Sequence, residues 1–215
     1  MIDGPRLPPS SGGKAKSLVV FLHGYGADGN DLIGLGREWS RMLPDTAFVS
    51  PHAPAPCEQS ALGRQWFGLT SRDPHDLARG VESARPALDG FLDAELQRHG
   101  LDESAVALVG FSQGTMMALH VGPQRKKTLA GIVGYSGLLA DPASLALPSI
   151  SKPPVLLVHG DGDNVVPVGS LLVAAQALGA AGLPVEWHVS RGIAHSIAPD
   201  GLSIGGEFLK RVLPE

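Results

Sequence analysis

The chain has 215 residues, 43% hydrophobic and 18% charged, which suffices for one sizeable core and makes a single domain, 1–215, the default. Lys and Arg number 17 against 21 Asp and Glu, a formal charge of −4 without any basic stripe, so nothing electrostatic recommends a nucleic-acid partner and none is expected. One cysteine, Cys57, rules out an internal disulfide and fits a reducing compartment.

Residues 1–16 are rich in Pro, Gly, Ser and Lys and lack an apolar stretch. They read as a loosely ordered segment and not as a signal peptide, and no later run reaches membrane-spanning length. The expectation is a cytoplasmic protein without stable membrane insertion. In chain order, apolar strands are expected at 18–22, 46–50, 105–109, 129–135, 155–159 and 185–189. Helices are expected at 30–43, 76–99, 113–122, 168–180 and 203–212. In the second of these, Leu77, Val81, Ala84, Leu88, Phe91 or Leu92, and Leu96 recur three or four residues apart, with Gly100 placed to end the helix and Pro86 to kink it. Strands alternating with helices imply a mainly parallel α/β sheet covered on both faces, with functional groups at the carboxyl ends of its strands.

One connection is too long for that rhythm. From 51 to about 74 the chain carries Pro51, Pro54 and Pro56, then Trp66-Phe67, without an obvious regular element. The aromatic pair reads either as a wall over a pocket or as a pin that holds the loop to the core. Arg125-Lys126-Lys127 reads as a solvated helix end.

The most specific local signal is Gly110-Phe111-Ser112-Gln113-Gly114, a serine between two glycines where a strand meets a helix. A residue pushed onto that sharp turn is crowded from both sides, so the positions two before and two after it must be small. Ser112 is thereby a candidate nucleophile. A hydroxyl needs a base and a group to orient that base. The loop Gly160-Asp161-Gly162-Asp163 after the fifth strand supplies two carboxylates; Asp163 is preferred, and spacing alone leaves Asp161 open as well. Asp beside Gly is also a common turn residue. Of eight histidines, His195 alone follows the last strand into a loop at the carboxyl edge. The order Ser112, Asp163, His195 is that of an α/β-hydrolase triad.

A fourth part is a pair of fixed donors for negative charge on a carbonyl oxygen. His23-Gly24-Tyr25-Gly26, directly after the first strand, can present the Tyr25 amide, and the Gln113 amide at the head of the elbow helix supplies the other. The same stretch, Gly24 to Gly29, also spells a Gly-x-Gly-x-x-Gly dinucleotide fingerprint. The acidic residue that should follow about 20 residues later is missing from Phe48-Val49-Ser50-Pro51-His52. No His-Glu-x-x-His or clustered Cys/His spacing points to a metal.

These segments, with Pro51-His-Ala-Pro54, Trp66-Phe67, Tyr135-Ser-Gly137, Val166-Pro167 and His195-Ser-Ile197, resemble the phospholipase/carboxylesterase family of α/β-hydrolases, from about residue 18 to 197. The family includes bacterial carboxylesterases and acyl-protein thioesterases. The resemblance implies an α/β-hydrolase core without a large cap domain, hydrolysis of carboxylic esters or thioesters, and no cofactor. It favours Asp163 over Asp161, allows a homodimer, and leaves Trp66, in the matched aromatic pair, as the best substrate-contact candidate outside the triad. Two positions depart from the pattern. Thr115 stands where a small residue is common, and Ala194 precedes His195 where bacterial relatives often have glycine.

Overall fold

The computed structural model describes residues 2–214. In chain order the elements are β1 (Arg6–Leu7), β2 (Ser17–Leu22), α1 (Gly29–Trp39), β3 (Thr46–Val49), β4 (Ala55–Pro56), β5 (Arg64–Gln65) and α2 (Pro74–His99). They continue with β6 (Val106–Phe111), α3 (Gln113–Val121), β7 (Gly131–Tyr135), β8 (Val155–Gly160), α4 (Gly169–Ala180), β9 (Val185–Ser190) and α5 (Pro199–Val212). Seven strands make one sheet in the order β1-β3-β2-β6-β7-β8-β9, and β4 pairs with β5 in a separate ribbon. Every neighbouring pair of the large sheet is parallel except β1 with β3. The α/β expectation from alternating strands and helices therefore holds, and the six expected strands are all present with ends shifted by one or two residues.

Burial explains the strand sequences. The six residues of β2 are all buried, as befits a central parallel strand covered on both faces. Leu18, Val20 and Leu22 face one apolar layer, shared with Leu88 and Phe91 of α2, Met117 of α3 and Leu178 of α4. Val19 and Phe21 face the other, shared with Leu32 and Trp39 of α1 and Phe208 and Leu209 of α5. The period-two alternation thus divides one apolar run between two cores.

Helix α2 passes through Pro86 without ending. A proline inside a helix costs roughly 3 kcal/mol. Burial of a large apolar side chain contributes roughly 1.5–3 kcal/mol, and Leu77, Val81, Leu88, Phe91 and Leu92 of this helix are all buried, so the stripe outweighs the proline. Gly100 ends the helix in the left-handed region at φ 66°. Helix α5 starts four residues before the expected 203, because Pro199 fits the first turn, where its missing N–H is not needed. No helix among the described residues is long and apolar enough to cross a membrane.

The loose N-terminal segment expected from composition is corrected by the structure. Arg6 and Leu7 pair with Val49 and Phe48, and the Ser50 and His52 amides donate to Pro5 O (3.0 Å) and Asp3 O (2.9 Å). Arg6 also meets Glu95 at 2.6 Å, and the Glu95 side chain is only 1% exposed. A buried carboxylate needs a partner, and the N-terminal segment brings one; composition is blind to such pairing.

Candidate active site

The carboxyl ends of β2, β6, β8 and β9 bring the expected residues to one edge of the sheet. At the end of β6, Ser112 has φ 53° and ψ −114°, a conformation rare for a residue with a side chain. Such backbone strain costs roughly 1–3 kcal/mol and persists only where the surroundings over-determine it. They do so here. A Cβ on Gly110 would lie 2.4 Å from the Thr115 nitrogen, and one on Gly114 would lie 1.8 Å from Leu22 O, so both flanking glycines are required by contact. The Ser112 amide donates to Tyr135 O at 2.9 Å, and Ser112 O accepts from the Thr115 and Met116 amides as α3 begins.

Thr115 is part of that support. Its hydroxyl is buried and lies 2.9 Å from both Gly110 O and Tyr135 O, so one proton is shared between the two carbonyls. Tyr135 O therefore receives both the Ser112 amide and the Thr115 hydroxyl. The next residue, Ser136, is itself left-handed at φ 47°, so the ends of β6 and β7 bend together around this one carbonyl.

Beyond β8, the Asp163 side chain is fully buried. Its Oδ1 accepts from the amides of Val165 (2.9 Å) and Val166 (2.8 Å), and its Oδ2 lies 2.7 Å from His195 Nδ1. Burial pushes this carboxyl up, but the hydrogen bonds from His195, Val166 and Val165 outweigh it and hold Asp163 below the usual carboxylate range. With Nδ1 engaged by a carboxylate acceptor, the proton of a neutral His195 sits there and Nε2 is left as an acceptor. The imidazole packs against the Phe111 ring with centroids 4.9 Å apart. Among the described residues no hydrogen bond joins Ser112 Oγ to His195; contacts of this kind commonly tighten only when substrate is bound.

The two aspartates of the loop are now distinguished. Asp161 is exposed and accepts from the Gly192 amide at 2.6 Å, tying the loop after β8 to the loop that carries His195. It is the turn aspartate. Sequence reasoning missed His159, whose Nε2 lies 2.8 Å from Val166 O and 3.3 Å from Asp163 Oδ2. Its Nε2–H donates to Val166 O and so braces the turn whose amides hold Asp163. A histidine just before the glycine at the end of a strand, as at His23 and His159, was the available signal.

The loop after β2 carries Tyr25. The adjacent amides of Gly26 and Ala27 donate to Arg64 O (3.0 Å) and Gly24 O (3.3 Å), whereas the Tyr25 amide makes no such backbone bond among the described residues. Gln113 is the first residue of α3, so its amide has no acceptor within the helix. Both expected donors are therefore available. The Tyr25 hydroxyl is buried beside Cys57, and burial first, then the thiol, raises its pKa to about 12.

Trp66, the candidate substrate contact in the long loop, lies beneath the surface. It is 2% exposed and belongs to the core layer of α2 and α3. Its indole N–H donates to His23 O at 3.0 Å. Of the two readings of the aromatic pair, the pin describes this placement, because the buried indole N–H finds its acceptor on the backbone of the neighbouring loop.

Comparison with known proteins agrees with this architecture. A solved structure described as esterase PE8 is 45% identical and superposes with a TM-score of 0.94, covering 99% of each chain. An acyl-protein thioesterase 1 from Gibberella zeae is 28% identical over 217 residues, covering 92% of this chain and 91% of its own. Esterase YpfH from Escherichia coli is 24% identical, covering 94% of this chain and 85% of its own. The family profile described as phospholipase/carboxylesterase matches residues 9–213, and the chain belongs to that family of ester-bond hydrolases.

Proposed function

We propose that this hydrolase is a carboxylesterase that cleaves small carboxylic esters through an acyl-enzyme on Ser112, with His195 as general base and Asp163 as the group that orients it. The observation that carries the reading is the combination of a strained Ser112 at the strand–helix turn with the 2.7 Å bond between Asp163 Oδ2 and His195 Nδ1. As Ser112 Oγ attacks the ester carbonyl, His195 Nε2 takes its proton. The Tyr25 and Gln113 amides receive the oxyanion that forms. His195 then gives the proton to the departing alcohol. Water enters, loses a proton to His195 and attacks the acyl carbonyl; the acid departs as His195 Nε2 returns that proton to Ser112 Oγ. Asp163 stays ionised throughout and stabilises the imidazolium form of each step. No step calls on a cofactor.

Similarity to acyl-protein thioesterases over more than nine-tenths of this chain supports thioesters as a second substrate class for the same site. The acylation chemistry is the same, with a thiol in place of the alcohol. The proposal places this activity in a single domain acting in the cytoplasm.

The test is twofold. Ser112→Ala should abolish turnover of a short p-nitrophenyl ester, and mass spectrometry of fluorophosphonate-treated enzyme should find the adduct on Ser112. Near wild-type turnover by the variant, or an adduct on another residue, would reject this nucleophile. A panel of oxygen esters and thioesters of graded chain length then separates the two substrate classes by kcat/KM.

A further inference from the structure

The two backbone donors assigned to the oxyanion come from elements far apart in sequence, and something must hold their separation constant. Tyr25 belongs to the loop after β2, and Gln113 opens α3. Between them lies the short strip from Arg64 to Phe67, and this strip is hydrogen-bonded to both.

On one side the strip grips the Tyr25 loop at three points. Arg64 O accepts from the Gly26 amide at 3.0 Å, the Arg64 amide donates to Ala27 O at 2.7 Å, and the Trp66 indole N–H donates to His23 O at 3.0 Å. These contacts bracket Tyr25 from both flanks, and none of them occupies its amide. On the other side the strip is held by a single side chain. Gln113 Oε1 accepts from the Trp66 amide at 3.0 Å, and Gln113 Nε2 donates to Phe67 O at 2.8 Å. The Gln113 side chain is wholly buried, and Trp66 is 2% exposed. An amide satisfied at both ends by backbone, away from water, is a rigid connection, because release of either end leaves a buried polar group unpaired. His23 adds a further tie: its Nε2 accepts from the Ala53 amide at 2.9 Å, and burial lowers its pKa and so favours the neutral ring that this bond requires.

We propose that Trp66 and the side chain of Gln113 are positioning residues that set the distance between the Tyr25 and Gln113 N–H groups. Gln113 thus acts twice, its backbone on the oxyanion and its side chain on the strip that carries the opposite donor. Neither side chain touches substrate in this role. The inference rests on the reading of Tyr25 and Gln113 as the oxyanion donors. It gives a physical account of why a buried tryptophan and a buried glutamine occupy the edge of an ester-hydrolysing site.

Trp66→Phe keeps an aromatic ring and removes the indole donor together with part of the ring volume; Gln113→Leu keeps the backbone N–H and removes both side-chain bonds without loss of bulk. Misplacing a catalytic group by about 1 Å can cost on the order of 100-fold in rate. The expected result for each variant is a fall in kcat of roughly 10- to 100-fold with KM within about twofold. Affinity for a trifluoromethyl ketone, which forms a tetrahedral oxyanion on the serine, should fall in parallel with kcat, because a mimic of the transition state depends on the same donors. Thermal unfolding of each variant establishes that the measured enzyme is folded, and should one variant fail to fold, the other carries the test.

Wild-type kcat and trifluoromethyl ketone affinity in a folded variant would overturn the proposal. So would a rise in KM at constant kcat for Trp66→Phe, which would make Trp66 a substrate contact. Fluorophosphonate labelling of the wild type keeps the two levels apart. An adduct away from Ser112 would remove the site reading and the positioning role with it, whereas an adduct on Ser112 with unaltered variants would remove the positioning role alone.

Discussion

The two flanks of Ser112 are built by different means. On the flank of the base, the loops after β8 and β9 meet through side chains: Asp163 holds His195, and Asp161 and His159 brace the turns that carry them. On the flank proposed for the oxyanion, the loop after β2 and the first turn of α3 meet through backbone amides and one strip of chain, joined by the long side chains of Gln113 and Trp66. The difference follows from the chemistry. A base must change its protonation state and so must be a titratable side chain, whereas an oxyanion needs donors that stay in place, which backbone supplies without reorganisation. Substitution therefore reaches the first flank directly and the second only through its supports.

The largest effect expected on the base flank is at Asp163. Asp163→Asn should lower kcat by roughly 10⁴-fold, since an amide in this place favours the wrong imidazole tautomer. Asp161→Asn, which keeps an oxygen for the Gly192 amide, should stay within about threefold of wild type, a value proper to a turn residue outside the reaction. Steady-state kinetics on a p-nitrophenyl ester would measure both. Equal losses at the two positions would erase the distinction drawn between these carboxylates.

On the elbow itself, Thr115→Val removes the hydroxyl shared by Gly110 O and Tyr135 O while keeping the shape. Tyr135 O keeps the Ser112 amide, so the expected cost is that of a buried hydrogen bond lost from an acceptor that stays paired, about 0.5–1.5 kcal/mol. Chemical denaturation should show a loss of that size, and Thr115→Ser should recover most of it. A variant as stable as wild type would mean that Tyr135 O and the Ser112 amide hold the turn unaided.

Away from the site, Arg6→Met should leave Glu95 with Arg98 as its remaining strong partner, at 3.1 Å. A stability loss of about 1–3 kcal/mol is expected, below the 3–5 kcal/mol typical of a buried ion left with no partner at all, and kcat should be unchanged. A larger loss in kcat than in stability would show that the N-terminal tie reaches the reaction centre.

The subtlest difference lies in pH. The folded-state pKa of Asp163 is depressed, so its contribution to stability is present above the ordinary carboxylate value, near 4, and is lost as pH falls through the lower folded value. The stability gap between wild type and Asp163→Asn should accordingly hold steady from about pH 7 to 5 and change only below about pH 4. Urea midpoints measured across that range would test the sign. A gap that closes above pH 5 would contradict a lowered Asp163 pKa.

Much of the architecture was legible because parallel strands buried on both faces must be apolar runs, and the amphipathic stripe of α2 has the helical period. The three side chains proposed for the reaction could be named from the sequence, since Ser112, Asp163 and His195 each follow a recognisable strand in a fixed order. What was misread shares a different character. The N-terminal segment looked loose because two residues of edge pairing and one buried ion pair leave no trace in composition. The burial of Trp66 went unread because a loop aromatic carries no mark of whether it points outward or in.

The sequence by itself determined the order of strands and helices, the turn that must be tight around Ser112, and the titratable groups available at the strand ends. Those depend on local sterics and on hydrophobic period, which adjacent residues encode. Only the tertiary structure decided that Asp163 and not Asp161 bonds His195, that Thr115 clamps two carbonyls, and that Gln113 reaches across 47 residues to hold the Trp66 amide. Such contacts depend on which backbone donors and carbonyls remain unpaired once the sheet has formed, and that remainder is set when distant segments pack together.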